Sequence, residues 1–504
     1  LTGSIGVGKA LAEVHRASRD GKRRHLGKDR GSETLQLRGQ VRDALGTHRA
    51  EAYASGSVAG VPGVLRKLVW NSLTEADRRS LINRGLDDII PEGLRESIVT
   101  LIDDVRVRGD AAVCDALARF DRIEVRPDRL RASDAEFAAA SGQLAPSVLA
   151  AIDDMIEHLH RFNSELRKRS ENWGFETEPG LWVGEKITPI SSAGLFCPSG
   201  KASYPSVIAQ LGTPAVVAGV PEIAVVVPPA PGTDGAIDPA VLVVCERLGI
   251  RNVFRVNGPA GIAALGFGTE TIPKVRKIVG PGSPAVTCAQ VEMQRHGVVT
   301  MMVLGPTESL VIADHTADPV RLAADLLIEA EHGTDSCTVL ITTSAALVEA
   351  TDAELERQIA GLPAARAEAA RASLGVNGGC VLVDSLGIAA SVANQFASEH
   401  LQLAVDPAVE DEVLDLIVNA GEILVGQHTP FSAANFVIGC PASLPTSGFA
   451  HVSSGITVET FLKRTAVAKA DLRAARRMAP SVIALAEHEG FPAHAAALRL
   501  RQEG

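Results

Sequence analysis

Aromatic residues are scarce, at 4% of 504 positions, so any core must be built from Ala, Val, Leu and Ile. Such cores suit parallel α/β layers, whose buried strands read as short Val/Ile runs. No apolar run approaches the roughly 18 residues of a membrane span, which argues against an integral membrane protein. No CxxC pair occurs, and the seven cysteines (114, 197, 245, 288, 337, 380, 440) form an odd, scattered set. This reads as reduced thiols in a cytoplasmic protein, not as a disulfide framework or zinc knuckle. Positive charge is in deficit: a net charge of -11 argues against nucleic acid as the main partner.

The first 63 residues differ from the rest. They carry five more positive than negative charges, leaving -16 on the remainder. They hold few large apolar side chains, and a disordered or mis-assigned extension is expected. Gly3 to Lys9 fits GxxxxGK, but Ala10 stands where magnesium binding needs Ser or Thr, and no strand can precede it. From Val64 the sequence reads as folded. Helical periodicity runs from Leu73 to about Ala118 behind Asn71-Ser72, and again from Ser147 to about Arg169. Strand-like runs follow at Gly194–Cys197, Ile223–Val227, Val241–Val244, Val253–Val256, Lys277–Val279, Leu310–Ala313, Thr338–Thr342 and Cys380–Val383. Their alternation with helical stretches predicts parallel sheets covered by helices on both faces. Val458 to Leu500 reads as mostly helical, divided at Pro480 and Pro492.

Chemistry concentrates in two places. Glu329 and His332, three apart at the end of an apolar helical stretch, can face one metal ion. Glu399-His400 offers a carboxylate beside a base. Each has an ordinary alternative: a solvated helix end for the first, a surface dipeptide for the second. Asn435 and His494 carry almost no signal by themselves. Glycine-rich turns follow several strands, at Cys197-Pro-Ser-Gly200, Asn257-Gly-Pro-Ala260 and Gly280-Pro-Gly-Ser283. None is a GxGxxG. Three within ninety residues still favour a ligand cleft at the strand ends.

Many collinear blocks then carry a resemblance. They include Leu65-Arg-Lys-Leu-Val-Trp70, Gly268-Thr-Glu-Thr-Ile-Pro-Lys-Val275, Lys277-Ile-Val-Gly-Pro-Gly282 and Gly305-Pro-Thr-Glu308. Val311-Ile-Ala-Asp314, Ala323-Ala-Asp-Leu-Leu327, Ala330-Glu-His332, Ser398-Glu-His-Leu401, Asn419-Ala-Gly421 and Leu444-Pro-Thr446 continue the series. From about Val64 to Arg501 the sequence resembles the histidinol dehydrogenase family. The resemblance implies an α/β fold of two Rossmann-like parallel-sheet domains with an N-terminal helical extension and a C-terminal helical tail. It places a helical arm at 64–89, a first α/β domain at 90–195 and 309–455, a second, nucleotide-side domain at 196–308, and the tail at 456–504. The tail is expected to complete the partner's active site in a homodimer.

The resemblance also implies zinc and NAD as cofactors, with manganese as an alternative metal, and oxidation of an amino alcohol to an amino acid in two steps. It assigns metal ligands to Glu329, His332, Asn435 and His494, and an acid-base pair to Glu399 and His400. Substrate contacts fall on Thr307 and Glu489 as well as on the metal ligands and His400, and nucleotide contacts on Phe196, Ala260 and Ser283. Several positions depart from the family. Glu329 replaces Gln and Asn435 replaces Asp, an exchange that keeps the site's charge and predicts a retained metal. Ala442 replaces a substrate-contacting His; Phe196, Ala260 and Ser283 replace Tyr, Gln and Asn. Lys201 is a candidate for an anionic group. Three readings follow: the family's own reaction on L-histidinol in histidine biosynthesis, a paralogue oxidising another small polar alcohol such as an amino alcohol or hydroxylated sulfonate, and a non-catalytic metal- or metabolite-binding protein.

Overall fold

The structure, a computed structural model, describes residues 63–84, 92–198, 203–230, 232–300 and 305–502. The phosphate-loop candidate at Gly3–Lys9, the rest of the extension before Gly63, and Ser199, Gly200 and Lys201 lie outside the described residues. The strands in chain order are β1 (Lys67–Val69), β2 (Trp173–Glu178), β3 (Leu181–Pro189), β4 (Ser192–Phe196), β5 (Glu222–Val227), β6 (Asn252–Arg255) and β7 (Lys277–Val279). They continue as β8 (Val299–Thr300), β9 (Glu308–Ala313), β10 (Cys337–Thr342), β11 (Gly379–Leu382), β12 (His400–Ala404), β13 (Glu422–Val425) and β14 (Leu462–Ala470).

Two parallel sheets organise the chain. One has six strands in the order β1-β11-β10-β9-β12-β13, the other five in the order β6-β5-β4-β7-β8. Both are covered on two faces, as buried parallel strands require. In the six-stranded sheet, Val311, Ala313 and Leu340 pack toward the helices Pro319–Ala330 and Ala345–Ile359. Leu310, Ile312 and Val339 pack toward the opposite helix, Leu386–Phe396. This is the two-residue alternation of a strand. The α/β fold expected from the sequence is therefore present, with seven of the eight anticipated strands.

Several expectations are corrected. Val241–Val244 lies in the helix Pro239–Arg247, started by Pro239 and by the Asp238 carboxylate accepting from the amide of Ala240. The helix is buried through Val241 to Cys245, so its apolar run shows no helical period. The helices between 92 and 169 were expected beside the six-stranded sheet. They pack instead on the five-stranded one, Ile98, Ile102 and Val113 against Val226 and Phe254, and Met155 and Leu159 on the other face with Leu195 and Val225. Strand β4 also begins at Ser192, ahead of the expected boundary. Among the described residues the first α-helix is Glu75–Asn83, capped by Thr74 and not by Asn71-Ser72.

The tail departs too. Residues 462–470 form β14, which pairs antiparallel with β3 beside β2. Pro480 sits inside the helix Leu472–His488. Pro480 and Arg476, whose carbonyl loses its partner, are both exposed, so water can satisfy that carbonyl. No helix among the described residues is long and apolar enough to cross a membrane.

One buried ion pair ties the N-terminal arm to the six-stranded sheet. Arg84 Nη2 donates to Glu308 Oε1 at 2.7 Å, and Nη1 donates to the carbonyl of Phe396 at 2.8 Å. Its guanidinium stacks over the Phe396 ring. Arg84→Ala would strand the Glu308 carboxylate out of water, at an expected loss of about 3–5 kcal/mol. Urea denaturation checks this, and a loss below about 1 kcal/mol would show that the pair is dispensable.

Candidate active site

The two sheets face each other with opposite ends. The five-stranded sheet presents its carboxyl ends, where β4, β6 and β7 run into the glycine-rich turns. Gly280, directly after β7, has φ +137°, and a Cβ there would lie 2.0 Å from the carbonyl oxygen of Phe196. Only glycine lets that turn lie against β4. The six-stranded sheet presents its amino ends, because Glu308, His400 and Glu422 each begin a strand. A cavity of about 530 Å³ between them is lined by Thr307, Glu329, His332, Glu399, His400 and Asn435, among others. A second cavity of about 600 Å³ is lined by Phe196, Asn257, Ala260 and Ser283 and shares Thr307 and His332 with the first.

Glu329 lies in the last turn of the helix Pro319–Ala330 and is 1% exposed. Its Oε1 accepts from Asn435 Nδ2 at 2.7 Å, while its Oε2 has no hydrogen-bond partner. His332 lies just past the helix, with Nδ1 3.4 Å from that free oxygen and half of its side chain exposed. His400 is buried. Its Nδ1 is 2.5 Å from Glu422 Oε1, and its Nε2 is 3.7 Å from Glu399 and 4.0 Å from Glu329. Glu399 Oε2 accepts from Thr307 Oγ1 at 2.9 Å and from the amide of Glu308 at 3.1 Å.

These surroundings shift the pair's protonation. Burial pushes the Glu399 carboxyl up to about 8; nearby His400 opposes the shift and Glu329 adds to it. Burial by itself would lower His400, but Glu399, Glu329 and Glu422 outweigh it and hold the imidazole up at about 10. Both groups thus exchange protons far from their ordinary ranges, as residues at reactive sites often do.

The donors around Glu329 meet a divalent cation's needs only in part. Among the described residues, no three His, Cys, Asp or Glu side chains form a metal-holding group. Glu329 Oε2 is nevertheless a buried, unpartnered carboxylate oxygen, a costly state that a cation relieves. It and His332 Nδ1 stand 3.4 Å apart, close to the roughly 3.3 Å between two donors at 2.0–2.1 Å on a tetrahedral ion. Asn435 now turns its amide nitrogen to Glu329, so its oxygen would have to rotate inward to ligate. Glu329 and His332 are thus spaced to hold one cation between them, and Asn435 would join them only on rotation.

Of the residues singled out in the sequence, the chain brings Glu329, His332, Asn435, Glu399, His400, Thr307 and Ala442 to one cavity. Phe196, Ala260 and Ser283 line the adjoining one, with the Phe196 ring and Ala260 buried in its wall. His494 and Glu489 are not brought there. They lie at the junction of the tail helices Leu472–His488 and Pro492–Gln502, where His494 is exposed and packs beside Phe491. Sequence reasoning missed Glu422. Its only local signal is an acid heading the apolar run Ile423-Leu-Val425.

The histidinol dehydrogenase family model matches residues 89–502. The histidinol dehydrogenase of Rhizobium meliloti is 41% identical over 417 residues, covering 82% of this chain and 93% of that protein. That of Methanosarcina barkeri is 36% identical over 434 residues, covering 86% and 96%. A histidinol dehydrogenase homolog of Colwellia psychrerythraea is 36% identical over 438 residues, with the same two shares, 86% and 96%. The crystal structure of histidinol dehydrogenase from Elizabethkingia anophelis superposes with a TM-score of 0.82 at 30% identity, covering 88% of this chain and 99% of that one. With matches of this extent, the chain belongs to the histidinol dehydrogenase family, oxidoreductases acting on CH–OH groups.

Proposed function

We propose that this chain is a metal- and NAD-dependent dehydrogenase that oxidises L-histidinol to L-histidine in two successive steps of histidine biosynthesis, in the cytoplasm. The observation that carries the reading is the buried Glu399–His400 pair, facing Glu329 in the cavity that adjoins the one of the glycine-rich turns. Zinc, or manganese in its place, held by Glu329, His332 and Asn435 would acidify the substrate hydroxyl, and NAD in the cavity of the glycine-rich turns would accept hydride. Ala260 and Ser283 lie at the starts of the helices Gly258–Phe267 and Pro284–Gln294, whose free backbone amides favour a pyrophosphate.

The chain's own residues then move protons. Where a bound cation offsets the pull of the carboxylates and leaves the ring neutral, His400 takes the hydroxyl proton through Nε2 as the carbinol carbon is oxidised to the aldehyde. Glu399, poised near neutrality, removes a proton from the water that adds to the aldehyde. Having passed its first proton to solvent, His400 takes a hydroxyl proton again as the hydrate loses a second hydride and becomes the carboxylic acid, which ionises to the carboxylate. Thr307 orients Glu399 throughout.

We propose a homodimer in which a second copy's tail supplies His494 as the fourth ligand and Glu489 as the partner of a substrate ammonium. Support comes from the apolar side chains the tail exposes, Leu472, Leu485, Phe491 and Leu500, and from Trp173 and Phe175 on β2.

A second reading has one specific support. Ala442 offers the substrate cavity a methyl group, and its amide is already bound to Gln210 Oε1 at 3.1 Å. A pocket without an imidazole there suits another small polar alcohol, an amino alcohol or hydroxylated sulfonate. NADH formation by the zinc-loaded protein across an alcohol panel headed by histidinol separates the two. Rapid conversion of histidinol to histidine supports the first reading, and silence with histidinol alone favours the second.

Two predictions follow from the site. His400→Asn should lower turnover by about 10²–10⁴ while sparing metal content; near-normal turnover would reject His400 as the base. Asn435→Asp should set a second carboxylate against Glu329 and destabilise the metal-free protein by about 1–3 kcal/mol. The double exchange Glu329→Gln with Asn435→Asp should recover that loss in thermal denaturation. Equal stability of single and double variants would show that the two positions are not coupled.

A further inference from the structure

Strands β12 and β13 are parallel and pair His400 directly with Glu422. Paired residues project from the same face of a sheet, so the imidazole and the carboxylate leave it side by side. The approach depends on the residue before. A Cβ on Gly421 would lie 2.4 Å from the carbonyl oxygen of Glu399, and beside it the amide of Glu422 donates to that same carbonyl at 3.1 Å. Glycine therefore lets β13 close onto the end of β12 where Glu422 begins.

The result is a ring held from two sides. Glu422 Oε1 is 2.5 Å from Nδ1, and Phe431 meets the imidazole edge-on at 5.8 Å between centroids. Both His400 and Glu422 are buried, yet only His400 lines the cavity. Glu422 thus has no route to substrate except through the imidazole.

A carboxylate can only accept a hydrogen bond, so Nδ1 must donate. In the neutral ring this leaves the lone pair on Nε2, the nitrogen facing Glu399 and Glu329. The opposite tautomer would press a lone pair against the carboxylate and turn an N–H toward the hydroxyl that has to lose its proton. We propose that Glu422 is a positioning residue, holding His400 with its proton on Nδ1 and Nε2 bare toward the substrate. This rests on the reading of His400 as the base.

The test is a mutant cycle on the zinc-loaded full chain, with kcat and KM measured on the alcohol that the panel identifies. Glu422→Ala should lower kcat by about a hundredfold or more and leave KM within about threefold. In a His400→Asn background it should cost nothing further, because Glu422 acts only through that ring. Should alanine open the core, Glu422→Gln is nearly isosteric. Its amide offers NH2 as readily as C=O, no longer enforces the tautomer, and should lower kcat in the same direction. A kcat close to wild type in either folded variant, or an equal further loss in the His400→Asn background, overturns the proposal. A wild-type enzyme silent with every alcohol overturns the reading of His400 itself, and this inference falls with it.

Discussion

Four carboxylates, Glu308, Glu329, Glu399 and Glu422, are withdrawn from water within one small region, and each needs compensation there. Glu308 has Arg84 and the amide of Ser447. Glu399 has the Thr307 hydroxyl and the amide of Glu308. Glu422 has the imidazole of His400 on one oxygen, and its other oxygen is buried without a partner. Glu329 is compensated on one oxygen only, by the Asn435 amide, while the other is left bare beside His332. Of the two bare oxygens, the one on Glu329 belongs to a cavity-lining residue and lies beside His332, where a cation would be favoured. A divalent metal would relieve the unpaired oxygen and moderate the pull of three carboxylates on His400 in one event.

The architecture explains why so much charge collects there. The five-stranded sheet offers strand carboxyl ends, glycine-rich turns and helix starts, which suit a nucleotide. The six-stranded sheet offers amino ends, so its strands begin with polar side chains directed at the same space. The polar heads of β9, β12 and β13 and the end of the helix Pro319–Ala330 thus meet opposite the turns after β4, β6 and β7. Neither sheet could build the site alone. The ion pair of Arg84 with Glu308 anchors this arrangement one residue from Thr307, which in turn orients Glu399.

Much of this was legible in the sequence where a signal is local. Short Val/Ile runs gave most of the parallel strands, and Glu329 with His332 and Glu399 with His400 were visible as dipeptide-scale patterns. The run Val241–Val244 failed because a helix buried on all sides has no amphipathic period to read. The resemblance grouped the helices from 92 to 169 with the six-stranded sheet, and apolar periodicity could not correct it, because it does not say which sheet an apolar face will meet. β14 was hidden because its side chains are nearly all exposed and its pairing with β3 is remote in sequence. Glu422 was missed for the same reason: its importance comes from the register between β12 and β13, which no spacing encodes. Asn435, His494 and Glu489 were reached only through resemblance, and of these the single chain brings Asn435 alone to the cavity.

The central claim is that the bare oxygen of Glu329 is a metal seat. Equilibrium dialysis of the metal-stripped protein against zinc, with elemental analysis of the retained ion, tests it without depending on any substrate. One zinc per chain is expected in the wild type, and no stoichiometric retention in Glu329→Ala. Equal zinc retention in both proteins would contradict the account, as would a folded wild type that retains none.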